Sequence, residues 1–386
     1  MKIIAFTSAR SDFGILSDLL KLLTLDNEFE LNLVVSGSHL SSDFGMTAQE
    51  ILPEHYNILH EIPFDGHGKD SNLDIVSGLS ELLKLINQLF LTVNPDILIV
   101  LGDRIEILPV CYAAVINNIP IAHIGGGDIT EGAIDEVIRH SVTKMSSIHF
   151  VSNILAEKVV SQLGEDPRMI YLVGSPSSDQ IMSFKPKTSK NNFLNELKIK
   201  KRKYLFAANY HPETTDKNTL ENLKIFFEAL NSLNQEEYSI IFTASNSDKA
   251  GKSFNTFLID RIENKPNMYF YNSLGKEKYY HLLHFSDLVI GNSSSGLHEA
   301  PSFKTPTIDV GNRQKGRERG NSIFWSDVNK SNIINLIDKV LGLNKEIDFS
   351  NPYAKENSSF KIYKLITEAL KESKLSATKS FNVLKI

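Results

Sequence analysis

The sequence predicts an α/β protein of two domains, each a parallel sheet covered by helices on both faces, and three observations carry that prediction. Short β-branched runs alternate with helix-periodic stretches from the first residues; the alternation lapses once into lysine-rich chain near residue 190 and then resumes. At 386 residues and 41% apolar composition, the chain also exceeds what one core organises.

In the first half, KIIAF (2–6), ELNLVVSG (30–37), ILHEI (58–62), DILIVLGD (96–103), PIAHIGG (120–126), IHFVS (148–152) and IYLVGS (170–175) read as strands. LSDLLKLL (16–23) and VSGLSELLKLINQLF (76–90) place apolar residues at helical spacing between them. FKPKTSKNNFLNELKIKKRK (184–203) loses apolar density and gains lysines, which reads as a linker and solvated helix rather than a phosphate patch. YLFAANYHP (204–212), YSIIFTAS (238–245), NMYFYNS (267–273), DLVIGNSSS (287–295) and TPTIDVG (305–311) then resume the alternation. The expected domains are 1–183 and 184–352, and 353–386 carries an amphipathic helix able to dock on either.

Composition excludes some roles. A formal net charge of −5 leaves no overall electrostatic footprint for nucleic acid or anionic membrane. The single cysteine, Cys111, lies in apolar VCYAAV and reads as a small buried hydrophobe, so the chain suits a reducing cytoplasm. Met1 runs directly into a strand, without a signal-peptide pattern, and no apolar run is expected to span a membrane.

The first strand ends in TSARSDFG (7–14), where Arg10 follows small residues and Gly14 precedes a helix expected to begin near Ile15. Such a turn offers N–H groups and an arginine to a phosphate; an ordinary βα turn is the competing reading. The strand ending in GDRIE (102–106) sends Asp103 out of the sheet, as a general base, a hydroxyl-binding group or a helix N-cap. HIGGGDITEGAIDE sets Asp128, Glu131 and Asp135 behind Gly125, Gly126 and Gly127, which permit close backbone approach to a ligand. In the helix that follows, Ile134, Val137, Ile138, Val142 and Met145 fall at core spacing and leave Asp135 and Arg139 on a neighbouring face. With Glu106, these acids gather where parallel strands empty into loops, the usual seat of chemistry in open α/β sheets.

In the second half, His211 follows a strand and precedes Pro212, placed to donate to a phosphate or shuttle a proton, although a lone histidine is more often structural. DLVIGNSSSGLHEA (287–300) repeats the anion-site design: Asn292, Ser293, Ser294, Ser295 and Gly296 lead into a helix carrying Glu299, an arrangement suited to a diphosphate and ribose. Arg313, Lys315, Arg317 and Arg319 then form a cationic loop after a strand. AGKS (250–253) lacks the upstream glycine of a phosphate loop, no GxGxxG follows the first strand, and His281 with His284 lacks a third ligand, so neither cofactor nor metal is expected.

Taken together and in order, SARSDFG, GDRIE, HIGGGDITEGAIDEVIRHSVTKMS, HPET, GNSSSGLHEAPS, GNRQKGRERG and the terminal NPY helix resemble the hydrolysing UDP-N-acetylglucosamine 2-epimerase family over nearly the whole chain. The resemblance implies the GT-B architecture: two Rossmann-like domains with parallel sheets facing across a cleft, the last helix crossing back onto the first. It implies a UDP-sugar substrate, with Ser293, Ser294 and Glu299 at the pyrophosphate and ribose, Arg10 and His211 approaching the phosphates, and Arg313 as a cation of the late loop. Asp103 and Asp135 match family catalytic carboxylates, and a homodimer or homotetramer is implied. Relatives commonly carry Glu or His where this chain has Gly125, so either Asp128 or Glu131 assumes that role or the pocket has opened for another sugar substituent. GDR in place of GDT resembles the branch that releases free sugar.

The chemistry implied is loss of UDP through a 2-acetamidoglycal, then hydration, with Asp103 and Asp135 as acid and base, Glu131, Asp128 and His211 assisting. Closely packed carboxylates can hold different protonation states at one pH. UDP-N-acetylglucosamine is the default substrate, and a UDP- or GDP-linked 2,4-diacetamido-2,4,6-trideoxy sugar the alternative. A GT-B glycosyltransferase or a catalytically silent sugar-nucleotide sensor would share the phosphate site.

Overall fold

The structure is a computed structural model describing every residue except 43–45, 52–55, 57, 65, 67–70, 132–133, 214–215, 217, 246–250, 344–346 and 384–386. Gly132 and Ala133 of the acidic loop, Thr214 of HPET and Ala250 of AGKS thus lie outside the described residues. The chain forms two compact units: Met1–Ile129, Ile134–Asp179 and Lys355–Ile386 in the first, Thr130–Ala133 and Gln180–Ala354 in the second.

The first unit follows the order β1 (Lys2–Thr7), α1 (Arg10–Leu25), β2 (Glu30–Val35), β3 (Ile58–Glu61), α2 (Asn72–Val93), β4 (Ile97–Leu101), α3 (Ile107–Ile116), β5 (Ile121–Ile124), α4 (Ile134–Met145), β6 (Ile148–Val151), α5 (Ile154–Gln162) and β7 (Ile170–Leu172). The sheet order is β3-β2-β1-β4-β5-β6-β7, and every pairing is parallel. Continuous apolar strands are what a sheet covered on both faces requires, and Ile3, Ile4, Leu31, Leu33, Leu98, Ile99, Ile121 and Ala122 are fully buried. α1 covers one face with Leu16, Leu19, Leu20 and Leu23, and α2 the other with Leu82, Ile86 and Phe90. Cys111 is buried in that second core, which pushes its thiol well above the ordinary range.

α6 (Ser177–Ser183) and α7 (Lys190–Glu196) lead into the second unit. There follow β8 (Tyr204–Asn209), α8 (Thr219–Asn231), β9 (Tyr238–Thr243), α9 (Gly251–Ile262), β10 (Met268–Tyr271), α10 (Gly275–Phe285), β11 (Leu288–Gly291), α11 (Ser295–His298), β12 (Thr307–Val310), β13 (Ile323–Ser326) and α12 (Lys330–Gly342). The sheet order is β10-β9-β8-β11-β12-β13, again parallel throughout. α13 (Ser358–Lys371) buries Ile362 and Ile366 in the first unit's core, and Tyr363 donates to Asp26 at 2.7 Å.

The parallel α/β class matches expectation, and five details differ. α1 begins at Arg10, so Gly14 lies inside the helix and not before it. Ile134 and Val137 are 54% and 68% exposed, so only Ile138 and Val142 of the expected stripe, with Met145 packed beside them, join the core. β13 carries only four residues, IFWS, at the sheet edge, too few for a period to show. α11 ends at His298, and Glu299 stands between it and a 3₁₀ turn, Ala300–Phe303, because Pro301 has no N–H to continue the helix. α2 is long and apolar enough by length and composition to cross a membrane, contrary to expectation. In this unit one face of α2 packs on the core at Gly78, Leu82, Ile86, Phe90 and Val93.

Candidate functional site

Each sheet has a point where the strand order reverses, and ligands of open α/β folds settle beyond the carboxyl ends of the strands at that point. In the first unit it lies between β1 and β4, from which TSARSDFG and GDRIE emerge. Arg10 stands exposed as the first residue of α1. Arg104 Nε lies 3.8 Å from Asp12 Oδ2 and 3.5 Å from buried Glu106 Oε1. Burial pushes the Asp12 carboxyl up to about 6, against the pull of Arg104 and with Glu106 adding to the rise.

A carboxyl whose pKa is raised by folding holds its proton more tightly folded than unfolded. Its contribution to stability is present below the unfolded value, near 4, and is lost as pH rises through about 6. Asp12→Asn is therefore expected to gain stability relative to wild type between pH 4.5 and pH 7.5, read by urea denaturation at both. An unchanged difference would refute the burial argument.

The strand exits beside it hold the acids. Arg139, 1% exposed, donates through Nε to Asp103 Oδ2 at 2.7 Å and through Nη2 to the same oxygen. Its Nη1 donates to the Asp128 carbonyl at 2.5 Å and to Glu136 Oε2 at 3.2 Å. Burial opposes the guanidinium charge, yet Asp103 and Asp128 hold Arg139 above its ordinary range. The Asp103 side chain remains 25% exposed despite the ion pair. Asp135 is half-buried in the first turn of α4, one residue before Glu136. Asp128 Oδ1 accepts from Ser152 Oγ at 3.1 Å and Asn153 Nδ2 at 3.0 Å, while Asn153 caps α5 through Ala156 N at 2.8 Å.

The three glycines divide by what surrounds them. A side chain at Gly126 would press into His123 and Thr143, and one at Gly127 would overlap the Ala156 carbonyl, so both are needed for packing. Gly125, at φ +82°, meets only Gly102 N at 3.9 Å, and Gly102, at φ +78°, meets nothing within 4 Å. Two neighbouring strand exits thus end in bare backbone beside Asp103. Buried His123 underlies them; its Nε2 donates to the Gly102 carbonyl at 2.8 Å, and burial pushes its pKa down to about 4, keeping the ring neutral.

Thr130–Ala133 group with the second unit, where Glu131 N–H donates to the Lys315 carbonyl at 3.2 Å and its carboxylate meets Lys315 Nζ at 2.7 Å. The order of the second sheet reverses between β8 and β11, whose last ladder partners are Asn209 and Gly291. Buried His211 and buried Asn292 sit just beyond, joined through the His211 backbone N–H and carbonyl, both bonded to the Asn292 side chain. Burial and the nearby Arg313 charge hold His211 far below its ordinary range, so the ring is neutral at pH 7. Ser293 Oγ accepts from Ser295 N at 3.3 Å; Ser295 Oγ donates to Glu299 Oε2 at 2.6 Å and lies 2.8 Å from the Tyr279 hydroxyl. Burial raises the Glu299 carboxyl, with Ser295 pulling the other way. Gly296 packs under Thr307.

The cationic loop is partly spent on the protein itself. Arg313 Nη1 and Gln314 Nε2 donate to the Asn292 carbonyl at 3.1 and 2.8 Å, and Arg319 Nη2 donates to buried Asp309 at 2.6 Å. Sequence reading did not single out Glu136, Ser152, Asn153, Tyr279 or Gln314, nor the Asp12–Arg104 pair. EVIR in α4 was the one available signal, since it places Glu136 three residues before Arg139.

Comparison with known proteins adds to this geometry. A family described as UDP-N-acetylglucosamine 2-epimerase matches residues 21–367. The chain is 35% identical over 336 residues to a GDP/UDP-N,N'-diacetylbacillosamine 2-epimerase (hydrolyzing) of Campylobacter jejuni, covering 85% of each. It is 31% identical over 367 residues to a UDP-N,N'-diacetylbacillosamine 2-epimerase (hydrolyzing) of Legionella pneumophila, covering 95% of each. In fold it is similar to the UDP-GlcNAc 2-epimerase from Neisseria meningitidis bound to UDP-GlcNAc, with a TM-score of 0.79, 16% identity and coverage of 95% of this chain and 100% of that one.

Proposed function

The chain belongs to the UDP-N-acetylglucosamine 2-epimerase family, and from that premise we propose that it is a hydrolysing 2-epimerase that releases a free, C2-inverted acetamido sugar and a nucleoside diphosphate. The observation that carries the reading is the buried Arg139 holding Asp103 and the Asp128 backbone at neighbouring strand exits, with Asp135 on the same helix as the arginine.

The C2 proton of a nucleotide-linked hexosamine is not acidic until the C1–O bond breaks. As the diphosphate departs with the bonding pair, oxocarbenium character at C1 acidifies C2, and a carboxylate removes the proton to leave a 2-acetamidoglycal. Water then adds at C1 and C2 is reprotonated from the opposite face. We assign the acid and base to Asp103 and Asp135, with Asp128 supporting. His211, Arg10, Arg313, Ser293 and the N–H groups of the turn after β11 stabilise the departing diphosphate, a contribution of several kcal/mol in comparable sites. A neutral His211 serves there as a hydrogen-bond donor. Glu299 takes the ribose. We place the reaction in the cytoplasm.

For the sugar, bare Gly102 and Gly125 favour a 2,4-diacetamido-2,4,6-trideoxy substrate, since a second acetamido group needs room beside the carboxylates; the names of the Campylobacter and Legionella relatives agree. UDP-N-acetylglucosamine is the second reading, supported by the family description. Incubation in D₂O with UDP- and GDP-linked forms of both sugars, without acceptor, tests all of this by NMR. The expected result is free sugar with deuterium at C2, formed faster from the diacetamido substrate. Protium retained at C2 would exclude the mechanism, and no release without an acceptor would point to a transferase.

A further inference from the structure

We infer that Asn292 is a positioning residue that fixes His211 at the carboxyl edge of the second sheet, and not a ligand of the diphosphate. Its carboxamide engages the backbone of one residue on both sides: Oδ1 accepts from His211 N–H at 2.6 Å, and Nδ2 donates to the His211 carbonyl at 2.9 Å. The pair continues a ladder step beyond Asn209 and Gly291, where β8 and β11 stop pairing. Gly291 makes this possible, because a side chain there would overlap the Asn209 carbonyl and hold the strand exits apart. Backbone bonds complete the clasp. Asn292 N–H donates to the Asn209 carbonyl at 3.2 Å, and its own carbonyl receives Gln314 at 2.8 Å and Arg313 at 3.1 Å. One fully buried residue thus ties together the exits of β8, β11 and β12.

The residue type follows from the task. Holding the N–H and the C=O of one residue from a short stem takes one acceptor and one donor on the same carbon; aspartate lacks the donor, and glutamine is a methylene too long. Without the clasp, two buried peptide groups of His211 lose these bonds and the loop must shift to recover them. A displacement of about 1 Å in a reacting group costs about 100-fold in rate.

This inference rests on the reading of His211 as a group acting on the departing diphosphate, and the test separates the two. Asn292→Ala, His211→Ala and the double variant are compared for kcat and for UDP affinity by calorimetry. Asn292→Ala is expected to lose roughly 30- to 100-fold in kcat, and the double variant to fall within about threefold of His211→Ala in both quantities, as coupled residues do. Losses that multiply would overturn the inference and make Asn292 a ligand in its own right. Should the alanine variant fail to fold, Asn292→Asp keeps the shape and the acceptor while placing a carboxylate against the His211 carbonyl. Its His211 ring is expected to titrate at higher pH by NMR than in wild type, where burial and then the Arg313 charge oppose protonation; an unchanged titration would overturn the inference. If wild type turns over no sugar nucleotide, the epimerase reading fails, and the UDP affinities and the His211 titration still decide the role of Asn292.

Discussion

Asp103→Asn is expected to lower kcat by about 10³ while leaving UDP affinity within about threefold, because general acid–base groups contribute about 10²–10⁴. The substitution preserves shape and removes the charge. Asparagine can still accept from Arg139 but cannot take a proton from C2. The guanidinium it faces is 1% exposed and has its other contacts in the Asp128 carbonyl and Glu136. On the proposed reading the diphosphate is held by residues of the second unit and supplies uniform binding energy, so the loss is expected in kcat and not in nucleotide affinity. Turnover in D₂O followed by NMR, with calorimetry for UDP, measures both. Wild-type turnover by Asp103→Asn would remove Asp103 from the chemistry.

Arg139→Met is expected to destabilise the first unit more than Asp12→Asn or Asp103→Asn. Removing one partner of a buried ion pair costs about 3–5 kcal/mol. Asp103 and Glu136 are 25% and 26% exposed, so solvent recovers part of that, and about 2–4 kcal/mol is expected. The midpoint of thermal unfolding should drop by roughly 5–15 °C for a unit of this size. Arg139→Lys should recover only a fraction, since an ammonium cannot reproduce the fork that meets Asp103 through both Nε and Nη2. Urea denaturation of both variants decides the matter, and a loss under about 0.5 kcal/mol for Arg139→Met would mean that the network is incidental.

The strands were the most legible part of the chain. Parallel strands buried on both faces are continuous apolar runs bounded by polar turns, and the runs ending in GDRIE and GNSSS show this plainly. Helix starts were less legible. Gly14 reads as a turn, yet α1 has already begun at Arg10, and Val137 satisfies helical spacing while standing in solvent. The glycine triplet was visible as a feature but not as two separate jobs. Only the packing shows that Gly126 and Gly127 lie against side chain and backbone while Gly125 faces open space.

The sequence by itself determined which residues stand at the strand exits, because period and turn chemistry are local properties written into neighbouring residues. Tertiary structure alone decided which of those residues hold one another. Asp103 meets an arginine 36 positions away, and His211 an asparagine 81 positions away. Such partnerships follow from the order in which strands are laid beside each other, and the crossover connections that set that order leave no period in the intervening chain.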